Sequence, residues 1–362
     1  MYHVKPVSPL TIYQEDPFNA GTPLDCLTQA FLTPSNRFFV RGHGAIPLVD
    51  RETYRLVVKG MVRQPLEFSL EELLTRFPQH TLTATLVCAG NRRNELAAIR
   101  PLPGEILWDA DPISTARWRG VRLSDVLRAA GVEDEARYVA FRGLDQGRIE
   151  GELVHFGSSI RLEKALAPEV LLVHEMNDAP LPREHGFPLR VLVPGYVGVR
   201  SVKWLREITL QRQPSTNPFQ ARDYKIFPPT VTAETVDWEQ GEPLEEIALN
   251  AVICTPKSGE TLPAGSLLVR GYALTGAEAP VARVELSTDQ GATWLPATIR
   301  EQADRWAWCL WEVRLSLLPG KYQLLVRAWD AAGRTQPRDA HPLWNFKGYA
   351  NNAWHQVQVS LV

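Results

Sequence analysis

Leu86-Val-Cys-Ala-Gly-Asn-Arg-Arg-Asn94 is the stretch on which the reading of this chain turns. It closes an apolar run, Thr81 to Cys88, that reads as a β-strand. After the strand come Cys88, then Gly90, which allows a tight turn, and then two adjacent arginines. A thiol beside two fixed cations should titrate low, because positive charge favours the thiolate. A thiolate is a soft ligand, suited to metals that bind sulfur. Spacing alone leaves a second reading open: a packed strand-end thiol, with Arg92 and Arg93 in ordinary ion pairs.

Outward from this motif, helical and strand patterns mix without a regular βαβ repeat, which points to an α+β domain. Tyr54 to Lys59, Val170 to His174 and Leu189 to Val193 read as strands. Ser69 with Glu72 three residues on makes a capping pattern ahead of Leu73 and Leu74. Ser124 to Ala130 reads as a short amphipathic helix stopped by Gly131. Residues 1–35 are rich in Pro, Thr and Asn, lack periodicity, and read as an extended arm wrapping a neighbouring domain. From 211 the prolines of QRQPSTNPF and KIFPPT mark a linker between domains, because Pro-Pro does not sit inside regular structure. From about 246 to 362 the pattern is all-β: runs at Leu267–Leu274, Val281–Leu286, Trp308–Leu315, Tyr322–Trp329 and Trp354–Val359, separated by turn clusters, fit an immunoglobulin-like sandwich of about seven strands. The expected organisation is therefore an arm at 1–35, an α+β domain at 36–245 whose linker begins at 211, and a sandwich at 246–362.

The 362 residues carry 44% hydrophobic and 22% charged side chains, enough for two soluble domains with separate cores. A formal net charge of -2 gives no basic footprint for nucleic acid, so an anion site must come from local clustering of Arg and Lys. No apolar run reaches the ~18 residues of a membrane span. No secretory signal is visible at MYHVKPVSPL, so a cytoplasmic location is expected, or a periplasmic one if the chain has been trimmed. Cys26, Cys88, Cys254 and Cys309 form no CxxC pair, which argues against a zinc ribbon or a thioredoxin-type motif and leaves reduced, mostly buried thiols as the expectation. There is no GxSxG elbow, no GxxxxGK[ST] loop and no GxGxxG.

Cys88-Ala-Gly-Asn-Arg-Arg93 resembles the signature of the sulfite oxidase family, and other segments resemble that family in the same order. They are Phe38-Phe-Val-Arg-Gly-His-Gly-Ala-Ile-Pro47, Thr115-Ala-Arg-Trp-Arg-Gly-Val-Arg-Leu123, Glu175-Met-Asn, Leu181-Pro-Arg-Glu-His-Gly-Phe-Pro-Leu-Arg190, Val193-Pro-Gly-Tyr-Val-Gly-Val-Arg-Ser-Val-Lys-Trp204, Arg222-Asp-Tyr-Lys225, Pro342-Leu-Trp-Asn-Phe-Lys-Gly348 and Asn352-Ala-Trp-His355. The resemblance covers nearly the whole chain from about residue 36. It implies a molybdopterin-binding domain of the sulfite oxidase fold, a molybdenum-molybdopterin cofactor, Cys88 as thiolate ligand to the metal, and a C-terminal domain that pairs two chains. It further implies that Arg41, Arg93 and the residue at Lys347 make an anion pocket, that Trp118 forms an apolar wall offering its indole N–H, and that Tyr224 donates a hydrogen bond to substrate. His43, Asp145, His185, Arg190, Arg200, Ser201 and Lys203 match the positions that hold the pterin and its phosphate, a group that demands several cationic or N–H donors.

Two positions depart from the family pattern. Gly42 stands where the family usually has Asn, and Lys347 where it usually has Arg, which keeps the charge but loses the planar two-pronged donor. The 35 residues before residue 36 are too few for the family's haem domain, so a form without it, like the plant-type and bacterial ones, is expected. The implied activity is oxidation of sulfite, or a similar small oxyanion, to sulfate by oxygen-atom transfer, with electrons passed to oxygen or a separate cytochrome. Reduction of nitrate or of a sulfoxide on the same scaffold is the alternative. A non-catalytic binding protein is the rival of a different class, since a sandwich domain alone fits that role too.

Overall fold

A computed structural model of the chain describes residues 9–362, so the first eight residues of the expected arm lie outside the described residues. The rest of the arm is more ordered than its composition implied. Thr11–Gln14 and Asn19–Gly21 pair antiparallel, and Asn19–Gly21 pairs in turn with Val40–Arg41, with Asn19 opposite Arg41. The arm is pinned at Asp111: the Thr22 N–H donates to its carbonyl at 3.0 Å and the Tyr13 hydroxyl to its carboxylate at 2.9 Å. Position 21 admits only glycine at this approach, since a Cβ there would fall 2.2 Å from the Asp111 carboxyl carbon.

Burial pushes the Asp111 carboxyl up to about 7, with Asp109 adding and the Tyr13 hydrogen bond opposing. The folded pKa lies above the ordinary value, so the native state binds more protons than the unfolded chain between about pH 4 and 7. Stability from this group is therefore complete below that window and is lost as pH rises through it. Asp111→Asn keeps an acceptor for Tyr13 and removes the charge. Its stability advantage over the wild type is expected to widen between pH 4 and pH 7 by an amount on the order of 2–4 kcal/mol and then stay level. Denaturant titrations across that range check this, and a gap independent of pH would contradict it.

Two sheets frame the first domain. In one, Gln79–Val87 pairs with Ile113–Arg122, which pairs with Leu171–Met176, which also holds Ala179–Pro180 and Arg190–Leu192. In the other, Leu66–Ser69, Arg55–Gly60, Leu205–Gln211, Tyr138–Ile149 and Glu152–Arg161 lie side by side, with Arg55–Gly60 parallel to Leu205–Gln211. The helix Leu70–Arg76 carries the full capping box: Ser69 Oγ accepts from the Glu72 N–H at 3.2 Å, and the Glu72 carboxylate accepts from the Ser69 N–H at 2.7 Å. Helix Leu123–Ala130 ends where Gly131 takes a left-handed φ of 72°. Leu73, Val126 and Leu127 from these helices share one core with Val58, Val121 and Ile208 from the sheets.

From Asn250 onward the regular structure is β apart from one 3-10 turn, His341–Leu343. One sheet holds Asn250–Thr255, Gly265–Leu274, Cys309–Leu317 and Thr298–Glu301; the other holds Thr261–Leu262, His355–Leu361, Gly320–Asp330, Val281–Ser287 and Leu295–Pro296. Strand His355–Leu361 alternates buried and exposed residues, as a half-buried strand must. Inward side chains of both sheets, among them Val269, Trp311, Val284, Leu324, Val326 and Val357, form a separate core.

The two domains are joined by packing as well as by chain. Tyr272 and Trp308 of the second domain belong to the first domain's core and stack on each other at 5.7 Å. The Trp308 N–H donates to Thr85 Oγ1 at 2.8 Å, and the Thr85 N–H donates to the Trp306 carbonyl at 3.0 Å. The strand that ends at Cys88 is thus held by the second domain along its edge. The Pro-rich span after 211 is not a plain tether. It contains one π-helical turn, Phe219–Asp223, and a short strand pair, Lys225–Ile226 with Glu242–Pro243, and it returns Tyr224 to the first domain's interior. No helix among the described residues is long and apolar enough to cross a membrane.

Candidate active site

Cys88 follows the last residue of strand Gln79–Val87, and its N–H continues the ladder by donating to the Pro112 carbonyl at 2.9 Å. The chain then turns: the Asn91 N–H donates to the Cys88 carbonyl, the Arg93 N–H to the Gly90 carbonyl, and helix Arg93–Ile99 begins. The left-handed residue of this turn is Arg92, at φ 63°, not Gly90. A Cβ at Gly90 would stand 2.7 Å from the Arg93 guanidinium carbon, so a larger residue there would displace that guanidinium. The two arginines part company. Arg92, fully buried, donates to Glu95 twice at 2.7 Å, to Asn250 Oδ1 at 2.8 Å and to the Ala353 carbonyl at 2.7 Å, so it ties the turn to the second domain. Arg93 pairs with Glu105 at 3.2 Å and lies over the Tyr349 ring at 4.9 Å. Arg41, on a distant segment, joins Cys88 in the cavity that the thiol lines.

That cavity, about 640 Å³ with its open mouth, collects Arg41, His43, Cys88, Asp145, His185, Arg190, Ser201, Lys203 and Tyr224. Phe38, Phe39, Leu86 and Phe156 supply apolar walls. A second cleft of about 710 Å³ adjoins it, with Arg41, His43 and Tyr224 lining both. Arg93, Lys347, Glu105, Asp223 and Tyr349 line this outer cleft, as do Gln14 and Pro17 of the arm.

Electrostatically the inner cavity is an anion site. Burial pushes Arg190 down to about 9 and Lys203 well below the usual lysine range, while Asp145, facing Lys203, is raised by its own burial. Arg190 is lowered by burial alone, whereas Lys203 is partly offset by Asp145 and Glu184, so a bound anion would balance the positive charge that remains. Two buried polar atoms there, Arg190 Nε and Asp145 Oδ1, have no hydrogen-bond partner among the described residues. The rest of Arg190 is spoken for: its terminal nitrogens donate to the carbonyls of His185 at 3.0 Å and Ser201 at 2.9 Å. Lys203 Nζ donates to the Glu184 carbonyl at 2.8 Å. A free thiol, several buried cations and partnerless donor and acceptor atoms in one apolar-walled cavity suit a polar, anionic cofactor that also offers a metal to sulfur.

Between the two clefts, Tyr224 Oη and His43 Nε2 are 2.7 Å apart. Burial, aided by Arg41, Lys203 and Lys347, holds His43 well below the usual histidine range, so the ring is neutral near pH 7. Burial likewise raises Tyr224, which stays a phenol and can donate. Tyr224 stacks on Tyr349 at 5.4 Å. In the outer cleft Lys347 Nζ lies 2.6 Å from Glu105 and 3.8 Å from Asp223, so two of the three expected anion-binding cations share one carboxylate.

Two expected site residues stand apart. Trp118 lines neither cleft; it is fully buried, its indole N–H donates to the Ala84 carbonyl at 3.1 Å, and it packs on Phe38, which corrects the reading of it as a pocket wall with a free donor. Arg200 also lies behind the cavity wall, donating to the Leu244 carbonyl and Ser158 Oγ at 2.8 Å each, with Nη2 lacking a partner. Glu105, Asp223, Tyr349 and Asn19 were not expected. Asp223 falls inside the Arg222-Asp-Tyr-Lys225 segment and Tyr349 directly after Gly348, where the resemblance singles out only a neighbour, while Asn19 and Glu105 lie outside every family-like segment.

Residues 43–219 match the family described as the oxidoreductase molybdopterin binding domain, and residues 242–362 match the Mo-co oxidoreductase dimerisation domain. Sulfite oxidase of Gallus gallus is 42% identical over 359 residues, spanning 96% of this chain and 77% of that protein. The chain belongs to the sulfite oxidase family. Mitochondrial sulfite oxidase of Homo sapiens is also 42% identical, over 97% of this chain, which spans 65% of the human protein's length. Among solved structures, the sulfane dehydrogenase SoxCD from Paracoccus pantotrophus matches with a TM-score of 0.80 at 26% identity, covering 98% of this chain and 85% of that one. As a member of the sulfite oxidase family the chain is an oxidoreductase, and its cofactor is molybdenum held by molybdopterin.

Proposed function

We propose that this chain oxidises sulfite to sulfate, passing the electrons to oxygen or to a separate acceptor. The observation that carries the reading is the free thiol of Cys88 facing the same cavity as Arg41, Arg190 and Lys203, in a chain 42% identical to a sulfite oxidase. Cys88 would bind the metal; Asp145, His185, Arg190, Ser201 and Lys203 would hold the pterin and its phosphate, with His43 at the boundary and Arg200 bracing the wall from behind. When bound, the group supplies oxygen-atom transfer and accepts two electrons. The protein's part is electrostatic and steric. Arg41, Arg93 and Lys347 offset the charge of the entering and leaving oxyanion, each fixed donor being worth up to a few kcal/mol. Tyr224, kept protonated by burial and oriented by His43 and Tyr349, offers one hydrogen bond at the junction of the two clefts. The chain would divide into an arm at 1–35, a cofactor domain at 36–245 and a C-terminal domain at 246–362, and this two-sheet domain would be an immunoglobulin-like sandwich that pairs two chains; sedimentation at micromolar concentration tests the dimer.

Steady-state assays of cofactor-loaded protein with sulfite, nitrate and methionine sulfoxide test the reaction. Sulfite is expected to give the highest kcat/KM, with about one molybdenum per chain, as one cavity with one thiol requires. Faster turnover of nitrate or sulfoxide would move the assignment to that substrate, and protein without molybdenum would end it.

A further inference from the structure

We infer that Asn19, on the N-terminal arm, is a positioning residue for Arg41 and through it sets the site's affinity for its anionic substrate; this rests on the sulfite reading above. Asn19 is 0% exposed and sits across the strand pair from Arg41. Its carboxamide is fully committed. Oδ1 accepts from Arg41 Nη1 at 3.1 Å and from the Gly42 N–H at 2.9 Å, while Nδ2 donates to Gln14 Oε1 at 3.0 Å and to the Pro17 carbonyl at 2.9 Å. An amide with two donors and one two-lone-pair acceptor has nothing left to give, so its orientation is fixed.

The consequence falls on Arg41. Its Nη1 is held by Asn19 and by the Gly42 carbonyl, and no other hydrogen bond of this guanidinium is found among the described residues. Nε and Nη2, the edge that makes parallel bonds to an oxyanion, are left for a ligand, and Arg41 lines both the inner cavity and the outer cleft. A guanidinium tethered on one side loses less freedom when it grips an anion with the other. Gly42 lets the arm come this close, since a Cβ there would stand 3.2 Å from the Phe18 carbonyl oxygen. The arm itself is anchored away from the cavity, by Tyr13 on Asp111 and by Thr22 Oγ1 on the Arg37 carbonyl at 2.7 Å. The arm is thus a working part of the anion pocket.

The test is a double-mutant cycle in the cofactor-loaded enzyme, reading sulfite KM and, independently of turnover, sulfate affinity by calorimetry. Asn19→Ala is expected to raise both KM and the sulfate Kd about tenfold, with kcat changing less, and to add under twofold when Arg41→Gln is already present. If the alanine variant does not accumulate as folded protein, Asn19→Asp carries the test. It keeps the accepting oxygen, loses both Nδ2 donations and sets a negative charge against Arg41, so KM and Kd are expected to rise severalfold more in the wild-type background than in Arg41→Gln. Equal losses in both backgrounds would mean that Asn19 only holds the arm in place, and unchanged KM and Kd would likewise overturn the inference. Wild-type enzyme that neither oxidises sulfite nor binds sulfate would instead overturn the functional reading.

Discussion

Cys88→Ser is expected to abolish sulfite turnover while most of the pterin stays bound. The two effects separate because different side chains carry them. The pterin and its phosphate would rest on Arg190, Lys203, His185 and the partnerless Asp145 oxygen, none of which touches the mutated atom by hydrogen bond. The metal would lose its one protein sulfur. Residues that merely support a ligand are worth ~10–100-fold in activity, so loss of the ligand itself should leave below about 1% of wild-type kcat. Serine is the right probe: it is nearly isosteric, so the turn at Gly90 and Asn91 and the ladder bond to Pro112 survive. Pterin content by fluorescence after oxidative release, molybdenum content and the thiolate-to-metal absorption band are the measurements. The band should vanish and no longer bleach on mixing with sulfite. A serine variant with full turnover would remove Cys88 from the metal.

Arg92→Met is expected to be the most destabilising single change near the site. Arg92 is fully buried; it hydrogen-bonds Glu95 within its own turn and reaches Asn250 and Ala353 across the domain boundary. Asn351 Nδ2 donates to the Arg92 carbonyl and to Glu95, both at 3.1 Å, and His355 lies 3.8 Å from the same carboxylate. Removing one partner of a buried charge pair costs ~3–5 kcal/mol, because the other charge is left without its counter-ion. Glu95 keeps 27% of its side-chain surface in water, which places the expectation at the lower end, about 3 kcal/mol. Methionine matches the length of the arginine stem and bears the same left-handed φ strain, so the loss reports the guanidinium. Calorimetry should show Tm lower by about 5 °C or more. Arg92→Met with Glu95→Gln should recover part of the loss, since the stranded carboxylate is gone. Unchanged Tm in the single variant would show that the two domains do not depend on this contact.

Much of the architecture was legible because it is local. The capping box at Ser69 and Glu72, the helix stop at Gly131, the strand into Cys88 and the alternating strands of the second domain all follow from spacing within one element. The positions that gather in the inner cavity were named by motif resemblance, and the fold brings nine of them together. What motifs could not convey was the partner of each side chain. Arg92 and Arg93 are adjacent and chemically identical, yet one leaves for the second domain and the other for the outer cleft, because a left-handed residue at 92 turns them apart. Trp118 was read as a pocket wall because its neighbours in sequence were right, but its strand phase turns it into the core.

The sequence by itself determined the strand–thiol–turn motif, the α+β and all-β halves and the set of cations available to an anionic cofactor. These depend on residue type and short spacing, which a linear chain carries in full. Only the tertiary structure decided which cation faces the thiol, how Glu105 divides itself between Arg93 and Lys347, and that an arm read as a wrapping segment delivers Asn19 to Arg41. Those outcomes rest on which distant segments exclude water from one another, and a hydrogen bond between residues 22 positions apart is strong only once both ends are buried.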